Sequence, residues 1–375
     1  MNRLLTVYDD KEPLNNVVAA LSLDFDEVIF VYHHEGSRNT FSNIRNVIKK
    51  YKDVDIDFIQ INDDNELNNY INKNTTIDVG AAKYLSLKLF DLANENNIDV
   101  IYYDDEEGVL KDYTNHTVIV KDVFKLSIED VLRLRGGQIK GNMHKKFTDK
   151  LSKQTIIELF ENNLDQYSYL IKYLSRVNSI ISSSEYLGKE TYLLSDKNYY
   201  SLLTDSMYKQ LKNIFVLEDK KLIFKSKKIK DIVETSGVLL ENYLYIKLND
   251  SKLFDDVMMS ANIDFSRDKY RYPVNCEIDC LVIKNNRLLF ISCKSTKVDK
   301  EALNEIYVHN SMFGNSLSKA VLCSGEELDR KYPSTFAKGE ELGVYIIDKS
   351  YIENYGVDKA IYSILDNTYK YDTID

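Results

Sequence analysis

Tryptophan is absent from this 375-residue chain, proline occurs three times and glycine 13 times. So few breakers and flexible residues exclude Pro-rich linkers, collagen-like repeats and Gly/Ser tethers. Cysteine is scarce too. The four present, Cys276, Cys280, Cys293 and Cys323, form no CxxC pair and have no histidine at zinc-finger spacing. They read as reduced, buried small hydrophobes. No apolar run approaches the roughly 18 residues needed to cross a bilayer, and Met1–Thr6 carries no signal-peptide apolar region. The expectation is a soluble, cytoplasmic protein with no membrane partner. An excess of positive charge is also missing. Against 59 Asp+Glu stand 49 Lys+Arg, a formal net charge of -10, which argues against a broad electrostatic grip on a duplex. A small nucleic-acid site with local lysines remains compatible with it.

What is present is ordinary for a globular protein, 44% hydrophobic and 29% charged residues, and this excludes wholesale disorder. The length exceeds what one core usually organises, so two or three domains are expected. The 28 Tyr and 15 Phe, together with heavy Asn, Lys and Ile usage, fit an A+T-rich genome.

Residues 1–122 alternate short apolar runs with helical patterns. Leu4–Tyr8, Glu27–Tyr32, Asp57–Ile61, Val100–Tyr103 and Thr117–Val120 read as strands, and Leu14–Leu21, Thr40–Lys50, Leu67–Asn72 and Ala81–Asn96 as helices. This alternation predicts a Rossmann-like parallel sheet, with ligands at the carboxyl ends of its strands. Three polar loops belong there: Asp9–Glu12, His33–Asn39 (with Ser37 and Arg38) and Thr75–Lys83. The first lacks the glycines of a dinucleotide fingerprint, which weighs against an oxidoreductase. In the third, Gly80-Ala81-Ala82-Lys83 is neither GxxxxGK[ST] nor GxGxxG. It suits an ordinary strand-to-helix turn or the approach of a phosphate to backbone N–H groups.

Residues 123–231 read as a mostly helical connector, opening with a capping box at Ser127–Asp130. The six lysines of Lys220–Lys230 suit a solvated face or a nucleic-acid contact. Residues 232–375 read as a helix over Thr235–Leu248, a hairpin turning at Asn285-Asn286, a helix over Lys300–Gly314 and a last strand at Lys319–Cys323.

The hairpin carries the chemistry. An even-length turn at Asn285-Asn286 pairs residues whose numbers sum to 571. Asp279 then faces Ser292 and Glu277 faces Lys294, all four on one face. The opposite face holds Cys276, Ile278, Cys280, Val282, Ile291 and Cys293, which can all be buried. Two carboxylates and a lysine suit Mg²⁺ or Mn²⁺ with a charge-stabilising amine, the chemistry of phosphodiester cleavage. Glu241, in the apolar helix before the hairpin, is a candidate third carboxylate.

Strand-Asp, then strand-Ser-x-Lys, preceded by a helix bearing Glu, resembles the PD-(D/E)XK nuclease fold. Glu277-Ile278-Asp279 with Ile291-Ser292-Cys293-Lys294 is similar to the motifs of one branch, the CRISPR-associated Rossmann-fold (CARF) effector nucleases of type III CRISPR systems. Asp10–Asn16 resembles that family's first ligand loop, Thr76–Lys83 its Thr-Gly-Gly-Thr-Lys-like loop, and Leu126–Leu132 the segment leaving its sensor domain. Ser292 departs from the pattern, where an acid is expected, and so does Ala81-Ala82, where Gly-Thr is expected.

The resemblance implies an α/β chain with a CARF sensor (1–122), a helical connector (123–231) and a PD-(D/E)XK-like domain (232–375). It implies a homodimer that binds one cyclic oligoadenylate, most often the tetra-adenylate, through Asp10, Lys11, Glu12, Asn15, Ser37, Arg38, Asp78, Gly80, Ala81 and Lys83. Cleavage of DNA or RNA would fall to Glu277, Asp279, Lys294, Glu241 and Ser292, with Mg²⁺ or Mn²⁺ on Asp279, Glu277 and Glu241. The alternative is a sensor whose nuclease module has decayed into a dimerisation or partner-binding domain.

Overall fold

The computed structural model describes residues 2–33, 38–81, 83–141, 215–225, 237–265, 274–295, 300–328 and 333–369, with short pieces at 153–154, 156–158, 160–161, 191–194, 196 and 298. The chain forms two compact units. The first comprises Met1–Asn142, Leu253–Ile291 and Asn304–Val321, and the second Met143–Lys252, Ser292–Leu303 and Leu322–Asp375.

The first unit opens with strand β1 (Arg3–Val7), helix α1 (Pro13–Ser22), β2 (Glu27–Tyr32), α2 (Arg38–Tyr51) and β3 (Asp55–Gln60). A 3-10 helix (Asp64–Tyr70), β4 (Thr75–Asp78), α3 (Tyr84–Asn96), β5 (Val100–Asp104), β6 (Val109–Asp112) and β7 (Val118–Val120) follow. The seven strands lie in the order β3-β2-β1-β4-β5-β6-β7. The first five are parallel, and β6 and β7 run antiparallel. The parallel, helix-connected sheet expected from the sequence is therefore present. Leu5, Val7, Ile29, Val31 and Ile77 from one face of the strands pack with Leu67 of the 3-10 helix and with Leu85, Leu89 and Ala93 of α3.

One expectation is corrected here. Thr75–Asp78, read as loop, is a central strand between β1 and β5. Its Thr-Thr-Ile-Asp sequence hides the apolar pattern, because Asp78 is buried by hydrogen bonding rather than by being apolar. β4 decides where the sheet reverses direction of growth. The chain builds β1, β2 and β3 outward on one side, then returns to place β4 on the other side of β1. The switch point, where open α/β sheets bind ligands, is thus between the ends of β1 and β4.

Helix α4 (Ile128–Leu134) starts at the predicted cap, the Ser127 side chain accepting from the Asp130 N–H. Strand β8 (Gly137–Gly141) follows. In the second unit β9 (Thr191–Leu193), β10 (Phe215–Glu218) and β11 (Lys221–Phe224) form a small antiparallel sheet, order β10-β11-β9. Lys221 and the segment to Phe224 of the lysine run are strand; Lys225 is the last described residue before Lys227–Lys230, which lie outside the described residues, as does most of 142–236.

Helix α5 (Val238–Ser251) leads to β12 (Asp256–Phe265), β13 (Val274–Lys284), β14 (Arg287–Lys294), α6 (Lys300–Phe313) and β15 (Lys319–Ser324). The chain then continues through α7 (Pro333–Leu342), β16 (Val344–Ile347), α8 (Lys349–Tyr355) and α9 (Val357–Leu365), beyond what the sequence reading anticipated as the last strand. These strands form a sheet in the order β16-β15-β14-β13-β12-β8. The strand β12 was also unanticipated; its Asp256, Ser260 and Asp264 interrupt the apolar pattern. Among the described residues no helix is long and apolar enough to cross a membrane.

Candidate functional site

The hairpin register predicted from the sequence is the one formed. Cys280 pairs with Ile291, Leu281 with Phe290, Val282 with Leu289, Ile283 with Leu288 and Lys284 with Arg287. Asn285 and Asn286, at φ 48° and 61°, make the two-residue turn with both in the left-handed region. Asn286 is buried, its side chain accepting from the Leu126 N–H at 2.8 Å and donating to the Phe124 carbonyl at 2.9 Å. Both faces of the hairpin are covered near the turn, where Leu281, Val282, Ile283, Leu288, Leu289 and Phe290 are all fully buried.

Away from the turn the face opens. Glu277 is exposed and Asp279 half-buried, while Ile278 and Cys280 on the alternate face are buried. Cys276 is only half-buried, a correction to its expected burial, although burial still pushes its thiol up to about 11. Across from Asp279 on β12 the ladder keeps its register but lacks one pair. Met259 pairs with Cys280 and Ala261 with Ile278, and Ser260 between them is at φ 49°. A non-glycine residue in that conformation inside a strand is strained, and here the strain lies beside the candidate carboxylate.

Helix α6 brings two further groups to this edge. His309 feels the charges of Glu305 and Asp279, and Glu305 also acts on Cys276. Burial, the larger effect, keeps the His309 imidazole below its usual value, while the two carboxylates pull it upward. The sequence reading missed both residues. Their spacing, four apart on one helix, was the available signal.

Ser292 is buried and Lys294 half-buried; both are in the part of β14 that belongs to the second unit. Glu241 is half-buried in the first turn of α5, also in the second unit, where its N–H bonds the Gly237 carbonyl. Among the described residues no three His, Cys, Asp or Glu side chains cluster as an ion cage. Glu277 and Asp279 supply two carboxylates, a number that suffices for Mg²⁺ when waters and substrate phosphate complete its shell.

At the switch point the first sheet holds a buried polar network. Asp78 is fully buried, accepting from Thr6 Oγ1 at 2.8 Å, Asn16 Nδ2 at 2.8 Å and the Gly80 N–H at 2.9 Å. Burial holds its carboxyl above the usual range, and these three donors oppose that rise. Asp78 therefore shapes the loop from below. Gly80 fits closely there, since a Cβ would stand 3.0 Å from Asp78 Oδ1. Ala81 is buried and its carbonyl accepts from Ser86 Oγ and the Lys83 N–H.

Above this network, Lys83 Nζ is 3.2 Å from Asp9 Oδ1 and 3.9 Å from Asp10 Oδ1. Asp9 also accepts from the Lys11 N–H at 2.9 Å. Asp10 and Lys11 are exposed, and Asn15 and Glu12 are half-buried. Burial raises the Glu12 carboxyl, against the pull of Arg135 and a hydrogen bond from the Ser316 backbone. Ser37 and the Arg38 side chain lie outside the described residues. Sequence reasoning also missed a neighbouring group at this edge. Asp64 accepts from Tyr84 Oη at 2.8 Å and lies 3.2 Å from His33 Nε2.

No protein-family model and no curated protein matches this sequence. Solved structures do. The chain is similar over 98% of its length to 98% of protein VC1899 from Vibrio cholerae, with a TM-score of 0.79 and 15% identity. It is similar over 96% of its length to 99% of Can2 from Sulfobacillus thermosulfidooxidans, solved in complex with cyclic tetra-adenylate, with a TM-score of 0.70 and 16% identity. This chain has their fold. At such identities it is the overall architecture that is shared, over nearly the whole length of the chains.

Proposed function

We propose that this chain is a nuclease of type III CRISPR defence that is switched on by a cyclic oligoadenylate. The observation that carries the reading is the likeness over 96% of the chain to Can2, solved with cyclic tetra-adenylate. It gains support from a polar switch point in the first sheet and a two-carboxylate hairpin in the second. In this reading the N-terminal sheet is the CARF sensor, and two copies of the chain close on one ring of cyclic tetra-adenylate in the cytoplasm. Lys83 and Lys11 offer positive charge to its phosphates. Asn15 and the Gly80 backbone line the approach, and Asp78 holds the loop from beneath.

Residues 232–375 are the PD-(D/E)XK-like effector, and 123–231 connect it to the sensor. Glu277 and Asp279 would hold Mg²⁺ or Mn²⁺, with Glu241 as a further carboxylate. When bound, the ion supplies Lewis-acid polarisation of a phosphodiester in DNA or RNA. Lys294 offsets the negative charge that grows on the phosphate during attack. Ser292, where the motif expects an acid, contributes a hydroxyl rather than a charge.

The test is cleavage of plasmid, single-stranded DNA and single-stranded RNA with Mn²⁺, with and without cyclic tetra-adenylate. Activator-dependent cleavage is expected, falling by about a hundredfold or more in Asp279→Ala. Equal cleavage by wild type and Asp279→Ala removes the catalytic assignment. A second reading, a sensor with a decayed nuclease module, is favoured by Ser292 and by the lack of a three-ligand cluster among the described residues. Tight activator binding with no cleavage in any divalent metal selects it.

A further inference from the structure

The group at Tyr84 has no part in the assignments above, and its geometry is that of a stacking platform. Tyr84 is the first residue of α3, at the carboxyl edge of the sheet, and is 56% exposed, although Leu85 and Leu89 of the same helix are buried. The ring does not swing freely. Its hydroxyl donates to Asp64 Oδ2 at 2.8 Å. Asp64 Oδ1 lies 3.2 Å from His33 Nε2, and Asp64 Oδ2 lies 4.0 Å from Lys88 Nζ. Lys88 Nζ also stands 5.5 Å from the Tyr84 ring centre, and the His33 ring is tilted at 51° with its centre 6.0 Å away. His33 follows β2, Asp64 opens the 3-10 helix after β3, and Tyr84 follows β4. Three separate crossovers thus converge to order one exposed aromatic side chain.

Ordering an exposed ring costs conformational entropy, and burying it against its own helix would have been the cheaper arrangement. A pre-ordered flat ring has a use when its partner is also flat, because the ordering cost is met before binding. Lys88 stands at the ring with positive charge, and Lys83 precedes it in sequence, the combination of aromatic face and cation that holds a base and its phosphate together. We infer that Tyr84 stacks a purine base of the bound nucleotide, with Asp64 and His33 as positioning residues that set the ring. The inference rests on the reading that the first sheet binds a cyclic oligoadenylate and adds the group that would recognise the base.

Titration calorimetry of the full chain with cyclic tetra-adenylate tests it. Tyr84→Ala should weaken binding about ten- to hundredfold, the usual worth of one stacked base. Tyr84→Phe keeps the ring but loses the hydrogen bond to Asp64 that sets it, and should fall between wild type and Tyr84→Ala. The chain contains no tryptophan, so Tyr84→Trp introduces a single indole whose emission should be quenched, saturably, as the base stacks on it. If wild type binds and Tyr84→Ala binds equally well, or if Tyr84→Trp binds with its emission unchanged, the platform is wrong while the sensor reading stands. If wild type binds no cyclic tetra-adenylate, both fall together.

Discussion

Asn285 and Asn286 look interchangeable in the sequence, and the fold gives them different work. Both occupy left-handed conformations that asparagine tolerates and glycine prefers. Asn285 uses its backbone: its N–H donates to Asp255 and its carbonyl accepts from Tyr103. Asn286 uses its side chain to satisfy the Leu126 N–H and the Phe124 carbonyl inside the first unit. Asn285→Gly is therefore expected to leave stability within about 0.5 kcal/mol or raise it. Asn286→Gly keeps the turn but strands the buried Leu126 N–H and the half-buried Phe124 carbonyl, and should cost about 2 kcal/mol. Urea midpoints of the two variants, read at unchanged slope, check the contrast; equal losses would show that the turn conformation alone matters. That a turn falls at Asn285-Asn286 was legible in the sequence from local φ preference. The direction in which Asn286 points was not, since its partners are 160 and 162 residues away.

Element boundaries were legible where short-range chemistry sets them. Helix α4 begins at its capping box because Ser127 accepts from the Asp130 N–H. The tertiary structure then adds to that cap. Asp130 is fully buried and receives Ser127 Oγ at 2.6 Å, Tyr51 Oη at 2.5 Å and Lys50 Nζ at 2.9 Å. Burial alone would raise its carboxyl, yet these donors hold it below the usual value. A carboxyl lowered on folding stabilises at pH above its unfolded value of about 4 and loses that contribution as pH falls toward the folded value. Asp130→Asn should thus lower stability at pH 7 by about 1–3 kcal/mol, and the deficit should shrink below about pH 4. Denaturant titrations of both proteins from pH 7 to pH 3 measure it; a deficit independent of pH would assign the loss to packing instead. Strands β4 and β12 escaped the sequence reading for the opposite reason. Their polar residues are compensated by partners far along the chain, as Asp78 is by Thr6 and Asn16, so local alternation fails.

On the scale of the whole molecule, the proposed sensor and effector meet within the first unit through a few polar contacts. Arg287, the first residue of β14, donates to the Asp105 carbonyl from Nε at 3.0 Å and Nη2 at 2.9 Å. Ser316 Oγ donates to the Asp105 carboxylate at 3.4 Å, and the Ser316 backbone donates to Glu12 in the loop after β1. The loop that would face the ligand and the strand that returns toward the candidate catalytic edge therefore share Asp105 and Ser316. A ligand can shift the effector only if it interacts differently with two arrangements of such contacts. Arg287→Ala should leave activator affinity within about threefold while changing activator-stimulated cleavage about fivefold or more. Cleavage rates with and without activator, set beside calorimetric affinities, decide it. An unchanged stimulation ratio would place the coupling elsewhere.

What the sequence determined by itself is what depends on neighbours along the chain. This covers the strand–helix alternation of the first 122 residues, the hairpin with its register, the cap of α4, and the placing of Glu277 and Asp279 on one face. Periodicity and turn preference act over a few residues, so they can be read without a fold. Only the tertiary structure decided that β4 returns beside β1 to create the switch point, that Asp78 lies beneath the loop rather than facing outward, that α6 delivers Glu305 and His309 to the hairpin edge, and that Tyr84 stands ordered in solvent. Each of these depends on hydrogen bonds or packing between segments distant in sequence, and a buried polar residue shows its role only once its partners are in place.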